Sequence, residues 1–150
     1  MLEPGDTLNR GAYRIERKLG AGGFGVVYLA EDVMLRRKVA IKTIREDVAG
    51  GDSQVAEAFY AEARLTAVLG HPYIIPIYSV GEEEVRGWRL PYVVMEYVEG
   101  GDLETVLARA RPALPQRLRW MQQIAEGLAY AHQQDIQDIG DVANHDNLLQ

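Results

Sequence analysis

Short apolar runs lie along the first two thirds of the chain, and the run at residues 37–44 alternates basic and apolar positions with the two-residue period of a β-strand. The runs are rich in β-branched and aromatic residues and are bounded by glycine, proline and charged residues. They predict five strands of an antiparallel sheet, at residues 13–19, 26–31, 37–44, 74–80 and 90–97. A charged segment at residues 81–89 is expected to separate the last two strands.

Two longer stretches follow the helical period instead. From residue 54 to residue 69, apolar residues recur three or four positions apart, and a Gly-His-Pro sequence then ends the stretch. Asp102 can cap a short helix, and Leu114-Pro115 begins a longer one that we expect to end near Gln134. Residues 135–150 show no clear period. The pattern therefore predicts an α+β protein.

Composition and charge exclude several classes of function. The chain has 150 residues, is 47% hydrophobic and carries a net charge of −6, which favours a globular domain and argues against binding to nucleic acid. It contains no cysteine, so a disulfide framework or a thiolate site is not expected. We see no leader peptide and no run of about 18 apolar residues. These observations predict a cytoplasmic protein without membrane binding.

The residues with the clearest chemistry are Gly20, Gly22 and Gly25, followed by Lys42. Closely spaced glycines let backbone amides approach phosphate oxygens. A dinucleotide-binding fold has the same spacing but needs a helix after the loop, whereas residues 26–29 resemble a strand. Lys42 ends the sequence Val-Ala-Ile-Lys, and Glu62 lies on the predicted helix that follows. Together these motifs resemble the protein kinase family, especially bacterial-type serine/threonine kinases.

This resemblance implies a protein-kinase-like fold. It would have a five-stranded antiparallel N-lobe sheet with a regulatory helix, and an incomplete helical C-lobe. We expect residues 1–101 to form the N-lobe and hinge, and residues 102–150 to begin the C-lobe. Lys42 would contact the α- and β-phosphates of ATP and pair with Glu62. The glycine loop over the phosphates would comprise Gly20, Gly22, Gly23, Phe24 and Gly25.

The resemblance also implies an adenine pocket around residues 94–103. Met95 would be the gatekeeper, and the Glu96 carbonyl and the Val98 amide would meet the adenine edge. The other implied contacts are Asp102 near the ribose, Val27 and Ala40 above the ring, and Leu149 below it.

The resemblance breaks where the catalytic loop is expected, because the family's His-Arg-Asp is not found. Counting from His132 places Gly140 over the catalytic aspartate, so Asp141 is the candidate for a displaced base. Asn147 is the candidate metal ligand. The Asp-Phe-Gly segment that supplies the main Mg²⁺ ligand does not occur before Gln150. We therefore expect an ATP-binding domain that is inactive or incomplete as a kinase.

Two alternatives remain open. The chain can be one part of an active serine/threonine kinase, completed by another polypeptide that supplies the missing C-lobe. It can also be a non-catalytic scaffold or regulatory module that binds a partner kinase. The apolar stripe of the helix at residues 116–134 normally packs in the C-lobe, so we also expect self-association.

Overall fold

The computed structural model describes residues 1–22, 25–45 and 53–146, with side chains described as far as residue 134 and not at Ser53. The chain forms two compact units. The first unit comprises residues 1–68 and 76–97, and the second comprises residues 69–75 and 98–150. The two ranges expected as domains, 1–101 and 102–150, stay a prediction.

The first unit is built on one antiparallel sheet, which has six strands among the described residues. In chain order these are β1 (Thr7–Leu8), β2 (Tyr13–Ala21), β3 (Gly25–Asp32), β4 (Arg37–Ile44), β5 (Ile77–Val85) and β6 (Trp88–Glu96). The strand order is β1-β2-β3-β4-β6-β5, so β5 is an edge strand. The predicted antiparallel sheet is confirmed, with one strand more than the expected five. A strand of two residues such as β1 is too short to leave a periodic signal.

Strands β5 and β6 form a longer hairpin than the sequence predicts. Residues 81–89 were expected to separate two strands, but Glu82 to Val85 continue β5 and pair with β6. The turn consists of Arg86 and Gly87, with φ of 54° and 83°. Two successive positive φ values give the two-residue turn that suits twisted strands. The charged residues fit a strand here because charge on an edge strand discourages pairing with other chains.

The core of the first unit lies on one side of the sheet, here called the core face. Side chains alternate between the faces of a strand, so directly paired residues share a face. Tyr28 pairs with Ile41, and Ile41 pairs with Val94. These three side chains are at most 2% exposed, and Leu2 and Leu8 of the N-terminal segment are buried in the same cluster.

Three helices complete the described part of the chain: α1 (Ser53–Ala67), α2 (Leu103–Ala110) and α3 (Leu114–Asp146). Helix α1 belongs to the first unit, and α2 and α3 belong to the second. Asp102 caps α2 as the sequence predicts, because its Oδ1 accepts a hydrogen bond of 2.7 Å from the Thr105 amide.

Helix α3 corrects the prediction of a helix that ends near Gln134. It continues without a break to Asp146, through the residues expected to form an altered catalytic loop. No proline occurs between Pro115 and Asp146. Ile136, Ile139 and Val142 also recur at three-residue spacing, so the segment has a weak helical period that the sequence prediction missed. None of the described helices is long and apolar enough to cross a lipid bilayer.

Candidate functional site

The centre of the candidate site is an ion pair between Lys42 on β4 and Glu62 on α1. The Lys42 Nζ lies 3.0 Å from the Glu62 Oε1, and 5.8 Å from the centre of the Phe59 ring. The Glu62 side chain is 67% exposed and that of Lys42 is 32% exposed. An ion pair this open to solvent contributes only about 0.2–1 kcal/mol to stability. Its more important effect is to hold the ammonium group at one position beside the sheet.

The strand register places three further candidate residues on the same face as Lys42. Val27 pairs directly with Lys42, and Ala40 pairs with Met95. Because Ala40 and Lys42 are two positions apart on β4, all four side chains share this face. We call it the Lys42 face. It brings together residues that the sequence assigned to both the phosphate side and the adenine side of one pocket.

Gly25, at the start of β3, lies close to the backbone of β4 and to the Lys42 side chain. A Cβ at Gly25 would lie 2.7 Å from the Thr43 carbonyl oxygen and 3.7 Å from the Lys42 Cε. A side chain at this position would therefore collide with the backbone of β4. Gly20 and Gly22 differ, because a Cβ at either would meet no atom within 4 Å. Steric contact with β4 therefore explains the glycine at position 25. No such contact restricts Gly20 or Gly22, which border open space.

Tyr60 connects α1 to the edge of the sheet, and sequence reasoning missed it. Its hydroxyl donates a hydrogen bond of 3.0 Å to the Gly81 carbonyl oxygen on β5. Gly81 pairs with Tyr92, and a Cβ at Gly81 would collide with the Tyr92 ring. Burial raises the pKa of both the Tyr60 and the Tyr92 hydroxyls. The sequence contains no signal for this contact, because Gly81 lies in the segment at residues 81–89 that was expected to separate two strands.

The candidate adenine-site residues at and after the end of β6 belong to both units. Glu96 is the last residue of β6, where it pairs with Val39 on β4. Val98 belongs to the second unit and is 56% exposed. In that unit, the hydrogen bond from the Thr105 amide lowers the pKa of Asp102 below its usual value. Asp102 therefore has a capping function in this structure, beside the ribose contact predicted for it.

Comparison with known proteins identifies the family to which this arrangement belongs. Residues 13–139 match the protein kinase domain family. The chain belongs to the protein kinase family. Over 127 residues it is 43% identical to the serine/threonine-protein kinase PrkC of Bacillus subtilis, a match that covers 84% of this chain and 19% of PrkC. Over 125 residues it is 38% identical to PknB of Mycobacterium tuberculosis, covering 83% of this chain and 20% of PknB.

A solved kinase structure agrees with the fold. The kinase domain of Mycobacterium tuberculosis PknI superposes with a TM-score of 0.69 and 28% sequence identity. The match covers 89% of this chain and 52% of the PknI chain. The chain thus spans about half of that solved kinase domain, and about a fifth of the curated kinases it matches. The predicted bacterial-type kinase fold is confirmed.

Several kinase positions named from the sequence lie outside the described residues. Gly23 and Phe24 of the glycine loop belong to this group, as do Asn147 and Leu149. The backbone of Asp141 is helical within α3, and its side chain is not described. Within the described part of the chain, no group of three or more His, Asp or Glu side chains could hold a metal ion.

Proposed function

We propose that the first unit of this kinase chain binds ATP on its Lys42 face. The observation that supports this most strongly is the Lys42–Glu62 ion pair, beside a glycine at position 25 where a Cβ would lie 3.7 Å from the Lys42 Cε. In the kinase family this lysine contacts the α- and β-phosphates, and the glutamate on the following helix orients it. The arrangement gives a fixed positive charge beside a glycine turn, which suits a phosphate chain.

The described residues fit both ends of a nucleotide. A Cβ at Gly20 or at Gly22 would meet no atom within 4 Å, so the space beside these two glycines is open to phosphate oxygens. Val27 and Ala40 supply an apolar surface on the same face for a purine ring. ATP would bring the γ-phosphoryl group that kinases transfer, usually with Mg²⁺. The role proposed for this chain is to bind and orient that nucleotide.

We also propose that these 150 residues do not catalyse phosphoryl transfer by themselves. An ungapped count from His132 places Asp138-Ile139-Gly140 over His-Arg-Asp, with no aspartate at the position of the base. The backbone at these residues is helical, as part of α3. Kinases depend on accurate positioning of the base, and a displacement of about 1 Å can cost on the order of 10²-fold in rate.

The binding proposal is tested by thermal unfolding of the chain with ATP, ADP and adenosine, each with and without Mg²⁺. A ligand that binds only the folded state raises the melting temperature. We expect saturable stabilisation by ATP and ADP without Mg²⁺, and less by adenosine, because Lys42 contacts only the phosphates. No shift with any of the three compounds would contradict the proposal.

The proposal of inactivity is tested by phosphate transfer from radiolabelled ATP to a peptide that contains serine and threonine. We expect no transfer above a sample without protein. Transfer by the unaltered chain would contradict this proposal, and comparison with Asp141→Asn would then show whether Asp141 acts as the base. The ATP-binding proposal would remain intact in that case, because it is measured separately.

A second function is favoured by the apolar stripe of α3. Five large side chains of this helix are 47–66% exposed: Leu114, Leu118, Met121, Ile124 and Leu128. Exposed apolar surface of this extent is typical of an interaction site. The candidate is a chain that binds a complementary polypeptide, either the rest of a kinase C-lobe or a partner kinase. Sedimentation of the chain at rising concentration, compared with Leu118→Asp, tests for self-association through this stripe.

A further inference from the structure

A cavity of about 150 Å³ lies on the core face of the sheet. Its lining includes Val26 and Tyr28, which are each 2% exposed. Neighbouring residues on a strand point to opposite faces, and Val27 shares its face with Lys42. The thickness of the sheet therefore separates this cavity from the proposed nucleotide site. We call it the core-face cavity.

Three parts of the first unit form the walls of the core-face cavity. Strand β3 contributes Val26 and Tyr28, the β5–β6 hairpin contributes Trp88 and Leu90, and the N-terminal segment contributes Leu2. The Leu2 amide donates a hydrogen bond of 3.2 Å to the Tyr28 hydroxyl, which holds this segment against the sheet. Leu2 is 6% exposed and Trp88 is 41% exposed, so solvent reaches the wall at Trp88. The walls are therefore largely apolar, with an accessible part at Trp88.

The charged side chains of the lining already have partners. A terminal nitrogen of Arg86 lies 3.4 Å from a carboxylate oxygen of Glu3. Arg89 forms an ion pair of 3.0 Å with Glu82, and strand alternation places both side chains on the face of the sheet opposite the cavity. Arg45, the third arginine of the lining, is also engaged in an interaction, and no Asp or Glu belongs to the described lining. The cavity therefore offers no unpaired charge to a ligand.

The hydroxyl groups of the lining have partners as well. The Tyr28 hydroxyl accepts the hydrogen bond from the Leu2 amide, and the Thr43 hydroxyl donates one of 3.5 Å to the Val26 carbonyl oxygen. A charged group that left water for this cavity would lose its hydrogen bonds to water and gain no strong partner in exchange. The lining therefore favours a ligand without charge.

The volume of the cavity limits the size of that ligand. An apolar cavity of about 150 Å³ is large enough to hold a benzene molecule. The rings of Tyr28 and Trp88 belong to the lining, and aromatic side chains make favourable edge and offset contacts with another ring. One aromatic ring with small substituents therefore fits both the volume and the walls.

We propose that the core-face cavity binds a small neutral molecule with a single aromatic ring. The ring enters the apolar space beside Val26, Tyr28 and Leu90, and Trp88 contacts it from the accessible side. This site is independent of the proposed nucleotide site, because it lies on the opposite face of the sheet and uses different residues.

The test is a titration of the methyl-labelled chain with toluene, followed by NMR. Benzoate and benzylamine serve as charged counterparts, because each has the same ring and carries one charge at neutral pH. We expect saturable shifts of the Val26 and Leu90 methyl signals with toluene, and at least about tenfold weaker binding of both charged compounds. Nuclear Overhauser effects between toluene protons and these methyl groups should place the ring in the cavity of the unaltered chain.

A substitution that fills the cavity provides a second test. Val85 lies on β5 and lines the cavity, so Val85→Phe should abolish the binding of toluene. Val80→Phe is the matched control, because Val80 lies on the same strand, is 45% exposed and points to the opposite face of the sheet. Val80→Phe should bind toluene as the unaltered chain does. Thermal unfolding of both variants establishes that they are folded.

Three results would overturn the proposal. The first is that the Val26 and Leu90 signals do not move, or show no Overhauser effect to toluene, up to its solubility limit in water. The second is that benzoate or benzylamine binds as tightly as toluene, since the cavity would then not select a neutral ring. The third is equal toluene affinity in folded Val85→Phe and Val80→Phe. If Val85→Phe does not fold, the first two measurements on the unaltered chain decide the question.

Discussion

Lys42 and Glu62 are 20 positions apart in the chain, and their charged groups meet at 3.0 Å. One residue lies on a central strand and the other on the helix that follows it. The contact therefore depends on where α1 lies against the sheet. Tyr60, two positions before Glu62, binds the Gly81 carbonyl oxygen and fastens the helix at the sheet edge. The ion pair therefore forms only when α1 is in this position against the sheet.

Glu62→Gln tests whether this pair serves binding rather than stability. We expect the free energy of unfolding to change by less than about 1 kcal/mol, because the pair is exposed. We expect ATP affinity to fall, because Lys42 loses the group that orients it. Calorimetric titration with ATP measures the affinity, and urea unfolding measures the stability.

The control for this change is Glu57→Gln on the same helix. Glu57 is 68% exposed and pairs with Arg64, so it matches Glu62 in exposure and in kind of contact. Its substitution should leave ATP affinity unchanged. An equal loss of affinity in both variants would show that a general effect on α1 is responsible, and not the contact with Lys42.

Alanine substitutions distinguish Gly25, where a side chain would collide with the neighbouring strand, from Gly20, where it would meet open space. Gly25→Ala should lower the free energy of unfolding by about 1–3 kcal/mol, because its Cβ would collide with the Thr43 carbonyl oxygen. Gly20→Ala should change it by less than about 0.5 kcal/mol, since its Cβ would meet open space. Gly20→Ala should still weaken ATP binding, because a methyl group would stand where phosphate approaches. Unchanged ATP affinity in Gly20→Ala would remove this glycine from the proposed site.

Tyr60→Phe removes the hydroxyl that ties α1 to β5 but keeps the ring. Loss of one hydrogen bond should lower the free energy of unfolding by about 1 kcal/mol. Hydrogen exchange of the α1 amides should become faster, because the helix is held to the sheet by few contacts. If exchange in α1 does not change, Tyr60 does not control the position of the helix.

Alkaline pH should destabilise the first unit. Burial is the main cause that raises the pKa of Tyr28, Tyr60 and Tyr92 above the usual value for tyrosine. The folded state therefore favours the neutral hydroxyls. Their contribution is complete below the unfolded pKa of about 10 and is lost as pH rises through the higher folded values. Urea unfolding at about pH 8 and about pH 10.5 should show this loss, and equal stability at both would contradict it.

The sequence was sufficient to predict most of the sheet and several of the residues that meet on the Lys42 face. Strands β2 and β3 are marked by β-branched and aromatic residues bounded by turn formers, and β4 by alternating basic and apolar residues. Glycines and a lysine with family spacing mark the site. Strand β1 was missed because two residues carry no period. The turn at Arg86 and Gly87 was missed because an arginine with positive φ is not the usual turn residue.

The remaining differences between the predicted and the observed structure have two causes. Tyr60 and Gly81 meet only after α1 packs at the sheet edge, which no local pattern specifies. The continuation of α3 to Asp146 was missed because the family resemblance led us to expect a loop there. The weak three-residue spacing in that segment, and its lack of proline, were the better signals.

The most direct test of the central proposal is calorimetric titration of ATP into Lys42→Met and Lys38→Met. Both lysines lie on β4 and both pair with a glutamate, Lys42 with Glu62 and Lys38 with Glu16. If Lys42 contacts the phosphates, Lys42→Met should weaken ATP binding about tenfold or more, because a charged hydrogen bond is lost. Lys38→Met should bind ATP as the unaltered chain does. Equal ATP affinity in the two variants would contradict the proposed contact between Lys42 and the phosphates.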